Sequence, residues 1–297
     1  MSRLILPMPG NEALAAALAS RCGAELGRIE TRRFPDGESY VRLHGDPAGR
    51  SVVLVCTLAH PDDQFLPLVF AADAARELSA SEITLVAPYL AYMRQDKRFL
   101  SGESISSLSF ARLLSSTFDR LVTVDPHLHR HPSLTSLYRL RTATLASAPV
   151  LADWIAAHVE QPLIIGPDEE SAQWAGAIAA RIDAPCAVLR KTRHGDRQVS
   201  IALPDLSAWQ GHTPVLVDDI ASSGRTLAVA AQQLLAQGLA QPECVVVHAL
   251  FAEDAWTLLQ PLFRRITSTE AVAHASNRIS LADLIAQSLL HPEDDLP

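Results

Sequence analysis

An α/β architecture of two mostly parallel sheets, each flanked by helices, is predicted by three observations. Short β-branched and apolar runs recur at 51–57, 82–87, 120–125, 162–166, 186–190, 213–218, 244–250 and 265–269. Ala/Leu-rich stretches with helical periodicity occupy 11–22, 65–79, 106–117, 148–159, 170–182, 225–237 and 282–290. The alternation breaks at 126–147, where Pro126 and Pro132 stand among clustered His and Arg. That break divides the chain into an expected first domain, 1–146, and a second, 147–297.

The elements have local reasons to begin where they do. Asn11 with Glu12 in the following turn suits a helix start, because a carboxylate there offsets the helix dipole. Strand 162–166 ends at Gly166-Pro167-Asp168, and strand 213–218 ends in Asp218 and Asp219, so both bring carboxylates to a strand terminus. Residues 291–297 are polar and are expected to fray. No short-period repeat is visible, although the two halves are free to share a structure without sharing sequence.

Composition narrows the class. Of 297 residues, 48% are hydrophobic and 20% charged, which is ordinary for a globular chain and unlike a disordered one. A net charge of −8 argues against a nucleic acid or an anionic membrane as the main partner. Cys22, Cys56, Cys186 and Cys244 are dispersed, with no Cys-x-x-Cys pair, and read as thiols of a reducing compartment. The first ten residues lack the apolar core of a signal peptide, and no run approaches a transmembrane length, so a cytoplasmic location is expected.

The most particular segment is Val215-Leu-Val-Asp-Asp-Ile-Ala-Ser-Ser-Gly-Arg-Thr226. A hydrophobic strand runs into two carboxylates, then into small residues, then into an amphipathic helix. Carboxylates at the carboxyl end of a parallel strand can hold sugar hydroxyls or a metal. Ala221, Ser222, Ser223 and Gly224 let backbone N–H groups approach a phosphate at a helix N-terminus, and the hydroxyls of Ser222, Ser223 and Thr226 add donors. The bland alternative is an ordinary strand–loop–helix junction with a capping Ser or Thr. Paired Asp followed by Ser-Ser-Gly-x-Thr is more particular than that. The segment resembles the phosphoribosyl diphosphate-binding loop of the phosphoribosyltransferase superfamily, with Arg225 where many members have a second glycine. The resemblance implies two phosphoribosyltransferase-like domains and a ribose 5-phosphate pocket made by Asp218, Asp219, Ser222, Ser223, Gly224, Arg225 and Thr226.

Four further segments select the reaction. Arg33-Phe-Pro-Asp-Gly-Glu38 and Tyr89-Leu-Ala-Tyr-Met-Arg-Gln-Asp-Lys-Arg98 resemble motifs of the ribose-phosphate diphosphokinases, and the likeness runs from about residue 30 to about 290. It implies that Phe34, Asp36 and Glu38 hold the adenine of ATP, often across a subunit interface. It also implies that Arg94, Gln95 and Asp96 contact the phosphates or the base edge. Aromatic stacking and guanidinium–phosphate forks suit those tasks. Taken singly, the first is a turn and the second a solvated basic run. Val122-Thr-Val-Asp-Pro-His-Leu-His-Arg-His131 is similar to the family's Asp-x-His stretch, which assigns His127 to catalysis and the metal. The aromatic and glutamine residues that often follow this histidine are absent. Alternating His127, His129 and His131 could also chelate a transition metal.

Ile164-Ile-Gly-Pro-Asp168 ends where the family places a magnesium-linked aspartate, which assigns Asp168. Glu169, Glu170 and Ser171 replace the small residues common there. The two glutamates suit a first helical turn and are expected to point away from substrate phosphate. Val188-Leu-Arg-Lys-Thr-Arg193 leaves a strand for a polar, flexible-looking stretch and resembles the catalytic loop, with Lys191 and Arg193 in the matching positions. Two cations on a closing loop can neutralise charge that develops in the transition state.

The implied activity is transfer of the β,γ-diphosphate of ATP to the anomeric hydroxyl of ribose 5-phosphate, with Mg²⁺ as cofactor and a homo-oligomer, dimer or higher, as the assembly. Neither a P-loop nor a Gly-x-Gly-x-x-Gly fingerprint is present, so ATP must be held by scattered groups. Three alternatives stay open at this level. A phosphoribosyltransferase explains 213–226 but not 33–38, 94–98 or the Lys191/Arg193 pair. A non-catalytic relative that binds phosphoribosyl diphosphate does not explain retention of Lys191, Arg193, His127 and Asp168. A metal hydrolase built on the alternating histidines leaves the phosphate loop without a purpose.

Overall fold

The computed structural model describes residues 2–128, 130–194, 198–202 and 204–292, with backbone alone for residue 170, 190–194 and 198–202. The chain divides into two compact units. One runs to Leu145 and resumes at Ala282, and the other is Ala146–Leu281.

The first unit begins with β1 (Arg3–Pro7) and α1 (Glu12–Cys22), followed by β2 (Glu25–Leu26) and an antiparallel hairpin, β3 (Arg28–Arg33) with β4 (Ser39–His44). It continues through β5 (Ser51–Val55), α2 (Pro61–Glu77), β6 (Glu82–Ala87), α3 (Ser106–Thr117), β7 (Arg120–Val124) and β8 (Arg141–Leu145). The six-stranded sheet has the order β2-β1-β5-β6-β7-β8, and every neighbour is parallel. Its central strands β5 and β7 are buried throughout, as continuous Val/Leu runs covered on both faces must be.

In the second unit, α4 (Ala148–His158) leads to β9 (Pro162–Gly166), α5 (Ala172–Arg181) and β10 (Cys186–Val188). A second antiparallel hairpin follows, β11 (Arg190–His194) with β12 (Gln198–Ala202). Next come β13 (Thr213–Ala221), α6 (Arg225–Ala236), β14 (Glu243–Ala249), α7 (Ala255–Leu259), β15 (Arg265–Thr269) and β16 (Asn277–Ile279), and the last helix is α8 (Ala282–Leu290). This sheet is also parallel, in the order β10-β9-β13-β14-β15-β16. The two units therefore share one topology. In each, the first strand is flanked by the second and third, and a hairpin is inserted between those two.

Helix α8 belongs to the first unit, so the expected boundary of 147–297 differs from the observed unit by this helix. The reason lies in its partners. Ile285, Ala286 and Leu289 are buried on the apolar face of α8, and Arg21 of α1 pairs with Asp283. At the other end of α8, Arg120 Nη2 donates to the Ser288 carbonyl at 2.9 Å and Arg3 Nη2 to the Leu289 carbonyl at 2.6 Å. Two guanidinium groups thus satisfy carbonyls that a helix C-terminus leaves open, and their charge suits the negative end of the dipole.

Several strands escape a reading by periodicity. Strand β8 lies inside the stretch expected to be a linker, because its Arg-Thr-Ala-Thr-Leu is short and only its middle is buried. Strand β1 is a five-residue run too short to be recognised by pattern, and it takes its place in the sheet by pairing with β5. The stretch after Leu189, expected to be polar and flexible, pairs residue by residue as β11 with β12. Helix α2 starts at Pro61 rather than 65, since proline suits the first helical turn and Asp62 and Asp63 complement the dipole there. The 170–182 helix begins as a 3₁₀ turn at Glu169–Ser171, and α5 proper starts at Ala172.

Candidate active site

In the second unit, β9 and β13 are parallel neighbours, with Leu216 opposite Ile165. Their carboxyl ends lie where the strand order reverses, the place at which open parallel sheets bind ligands. Asp168 follows β9, and Asp218 and Asp219 lie within the last turns of β13. This brings Asp168 within electrostatic reach of Asp218, which stands 50 residues further along the chain with Asp219 as its neighbour. Asp218 keeps part of its surface open but sits deep among protein atoms. Burial, then the charges of Asp219 and Asp168, push its carboxyl well above the ordinary aspartate range.

Such a group binds a proton more tightly in the folded chain than in the unfolded one. Stability from this source is complete below about pH 4 and is lost as pH rises toward the folded-state value. Replacing Asp218 by Asn is therefore expected to raise Tm at pH 8 by at least about 2–4 °C and to flatten the pH dependence of Tm. Thermal melts between pH 5 and pH 8 check this, and an unchanged slope would contradict the clustering of the carboxylates.

The loop after β13 is built for close backbone approach. Gly224 caps α6 with φ of 67° and ψ of −1°. A Cβ placed on it would lie 2.8 Å from Leu259 Cδ1 and 3.1 Å from Leu259 Cγ, so both the dihedral and the space require glycine. The loop is strapped from behind: Phe251 N–H donates to the Ala221 carbonyl at 2.8 Å and Ala252 N–H to the Ser222 carbonyl at 3.1 Å. Asp219 N–H donates to Asp218 Oδ1 at 3.0 Å. Ser223 and Arg225 are exposed, and Ser222 and Thr226 are half-buried. The loop thus sits at the positive end of the dipole of a 12-residue helix, a place suited to an anion.

Asp168 has a second task. Its Oδ1 accepts from Ser171 N–H at 3.2 Å while Asp168 N–H donates to Ser171 Oγ at 3.4 Å, a reciprocal cap on the turn that leads to α5. The cap is made by Asp168 and Ser171. Glu169 is exposed, and the side chain of Glu170 lies outside the described residues. On the hairpin, Lys191 is opposite Ile201 and Arg193 opposite Val199 in the backbone register. Their side chains also lie outside the described residues.

In the first unit, Phe34-Pro-Asp-Gly37 closes the β3–β4 hairpin as a turn, with Gly37 N–H donating to the Phe34 carbonyl at 2.9 Å and Gly37 at φ of 93°. Asp36 Oδ1 accepts from Glu38 N–H at 3.1 Å. Phe34, Asp36 and Glu38 are all exposed at the tip. The segment 89–98 is not a helix end. Tyr89, Leu90, Ala91 and Met93 are buried, and the chain turns at Tyr92 with φ of 62° and emerges with Arg94 exposed. Gln95 Oε1 accepts from Ser106 Oγ at 2.8 Å.

Asp96 is committed to a partner the sequence reading does not supply. Arg130 Nη1 reaches both carboxylate oxygens, at 2.7 and 2.9 Å, and only 3% of the Asp96 side chain is exposed. Burial draws this carboxyl upward, but the hydrogen bonds and charge of Arg130 outweigh it and hold it below the ordinary range. Arg130, three residues after His127, thus ties its loop to the segment 89–98 through Asp96. His127 is half-buried just beyond β7, and His129 lies outside the described residues. Among the described residues, no three His, Cys, Asp or Glu side chains converge as a preformed metal cage. No helix is long and apolar enough to cross a membrane.

The likeness to known proteins spans both units. Residues 4–117 match the model of the N-terminal domain of ribose phosphate pyrophosphokinase, and residues 142–260 match the phosphoribosyl transferase domain. A ribose-phosphate pyrophosphokinase of Methanopyrus kandleri is 34% identical over 280 residues, covering 93% of this chain and 94% of that protein. One of Sulfolobus acidocaldarius is 31% identical, covering 92% and 93%. Among solved structures, phosphoribosylpyrophosphate synthetase from Mycobacterium smegmatis superposes with a TM-score of 0.84 over 99% of both chains at 23% identity, a likeness of fold. With both domain models matched in order and relatives above 30% identity over nearly the full length, the chain belongs to the ribose-phosphate pyrophosphokinase family.

Proposed function

We propose a division of labour for the family's reaction, in which the diphosphate of ATP passes to ribose 5-phosphate and AMP is released. The observation that carries it is the meeting of Asp168 with Asp218 and Asp219 beside the Gly224-capped helix α6. Carboxylates accept hydrogen bonds from vicinal hydroxyls, and an open helix N-terminus takes a phosphate. Asp218 and Asp219 therefore hold the ribose hydroxyls, and Ser222, Ser223, Gly224, Arg225 and Thr226 hold the 5-phosphate. Phe34, Asp36 and Glu38 take the adenine, while Arg94 and Gln95 take the phosphates or the base edge. Asp96 serves the nucleotide indirectly, through Arg130. Lys191 and Arg193 neutralise the charge that develops on the transferring group, and a closed loop excludes water from it.

Mg²⁺ fits the residues present. Oxygen donors suit this hard cation, which is commonly held by one or two carboxylates together with substrate phosphates and water, so a full protein cage is not required. Asp168 would hold it, with His127 toward the same metal–phosphate group. When bound, the ion supplies charge neutralisation and lowers the pKa of an oxygen it holds. The crowding of Asp168 and Asp219 around Asp218 supports the same reading, since a cation there would relieve it. A homo-oligomer, dimer or higher, in the cytoplasm and with no nucleic acid as partner completes the proposal. Support comes from the exposed base-binding hairpin and from four free cysteines.

Incubation with ATP, Mg²⁺ and ribose 5-phosphate is expected to release AMP and form phosphoribosyl diphosphate in equal amounts. Chromatography of the nucleotides with and without the sugar phosphate checks this. AMP that appears equally without sugar phosphate, or not at all, overturns the reading. Formation of a nucleotide from phosphoribosyl diphosphate and a free base would point to the phosphoribosyltransferase instead.

A further inference from the structure

On the β3–β4 hairpin, Arg32 and Tyr40 are directly opposite in the register, and Phe34 lies two residues beyond Arg32 on the same face. The three side chains are in contact. The Arg32 guanidinium carbon is 4.1 Å from the centroid of the Tyr40 ring and 4.6 Å from that of Phe34. The two rings stand edge to face, 6.2 Å apart with planes at 89°. Glu38, which receives the Phe34 N–H hydrogen bond at 2.8 Å through its carbonyl, is opposite Phe34 and completes that face. Tyr40 is anchored: it is half-buried on β4, the strand of the hairpin that packs against α2.

A phenylalanine at the tip of a two-stranded hairpin, 39% exposed, has no core to fix its ring. Unconstrained, it would rotate about its side-chain bonds, and a base stacking on it would have to arrest that motion on binding. The anchored tyrosine fixes the guanidinium, and the guanidinium covers one face of the Phe34 ring. The opposite face is left as a fixed platform. We infer that Arg32 and Tyr40 are positioning residues for the nucleotide base: they hold the Phe34 ring in place so that the purine stacks as the outer layer over a guanidinium-backed ring. The inference rests on the assignment of Phe34 to the base. Neither residue need touch ATP, and neither serves the sugar phosphate.

The test is steady-state kinetics of the full chain carrying Phe34→Ala, Tyr40→Ala, Tyr40→Phe and Arg32→Met in turn, with thermal melts for each. Phe34→Ala is expected to raise KM for ATP by about tenfold or more, as loss of a stacked base does. Tyr40→Ala and Arg32→Met should raise it by about two- to fivefold, the scale of an exposed cation–π contact. In both, kcat and KM for ribose 5-phosphate stay within about twofold of the wild type, a split that general destabilisation does not produce. Tyr40→Phe keeps the ring and should restore KM for ATP. If Phe34→Ala raises KM while Tyr40→Ala leaves it unchanged, the positioning role is overturned but the base site stands. If Arg32→Met acts and Tyr40→Ala does not, Arg32 contacts the nucleotide itself, and positioning is again overturned. If Phe34→Ala changes nothing, the hairpin is not the base site and the inference falls with that assignment.

Discussion

Replacing Lys191 by Ala is expected to lower kcat by about 10²–10³-fold, the loss typical when one preorganised charge-stabilising group is removed. KM for ATP should change by less than about threefold. The split follows from the chemistry assigned to this lysine. In diphosphate transfer the protein supplies alignment and positive charge, and a cation on a loop that closes over the transferring group meets its full complement of negative charge only at the transition state. An interaction made only there lowers kcat without weakening ground-state binding. Arg193→Ala should act in the same direction, and the double variant should fall short of the product of the two losses, because both cations serve one developing charge. Single-turnover measurement of AMP release tests the chemical step directly. Turnover near wild-type levels in Lys191→Ala would remove the β11–β12 hairpin from the mechanism.

Replacing Gly224 by Ala is expected to raise KM for ribose 5-phosphate by about tenfold or more. A non-glycine residue in the left-handed region costs roughly 1–2 kcal/mol, and about 1.4 kcal/mol corresponds to a factor of ten in binding. Collision adds to this, since the new Cβ would come within 2.8 Å of Leu259, which is itself wholly buried. The loop must then withdraw from the phosphate or strain the packing of α7. KM for ATP should be unaffected, because Gly224 is assigned to the sugar phosphate alone. Kinetics with each substrate varied in turn checks the asymmetry, and a melt shows how much of the cost falls on stability. An unchanged KM for ribose 5-phosphate would mean that the loop does not carry the 5-phosphate.

Much of the site is legible in the sequence because it is chemically local. Asp218, Asp219 and the residues 222–226 follow one another along a strand, a turn and the first turn of a helix, so one stretch of chain contains both the motif and the reason for it. Phe34-Pro-Asp-Gly37 is legible in the same way: it is a turn, and the turn sets its polar residues at an exposed tip. The bland reading of that segment and the functional one turn out to be compatible. The segment 89–98 is harder, since its basic end resembles a solvated helix, whereas the structure buries Tyr89, Leu90, Ala91 and Met93, turns at Tyr92 and releases the chain at Arg94.

Other features have no local signal. The hairpins escape a periodicity reading because strands such as Arg-Ile-Glu-Thr-Arg-Arg are charged and only half covered, and their register comes from the partner strand. Arg130 reads as one more cation in a basic cluster until its Nη1 is found on both carboxylate oxygens of the buried Asp96 side chain. Leu259 carries no functional chemistry, yet it is the residue that makes glycine obligatory at 224.

The sequence by itself determined the fold class, the order of the candidate site segments and the residue types that each presents, because strand runs, helical periodicity and turn chemistry are written within a few residues. The tertiary structure alone decided which of those segments are neighbours. It set β9 beside β13, and hence Asp168 near Asp218; it returned α8 to the first unit through Arg3 and Arg120; and it placed Arg32 and Tyr40 around Phe34. These are pairings between distant parts of the chain, fixed by strand register, burial of apolar faces and satisfaction of open carbonyls, and no local pattern encodes the partner.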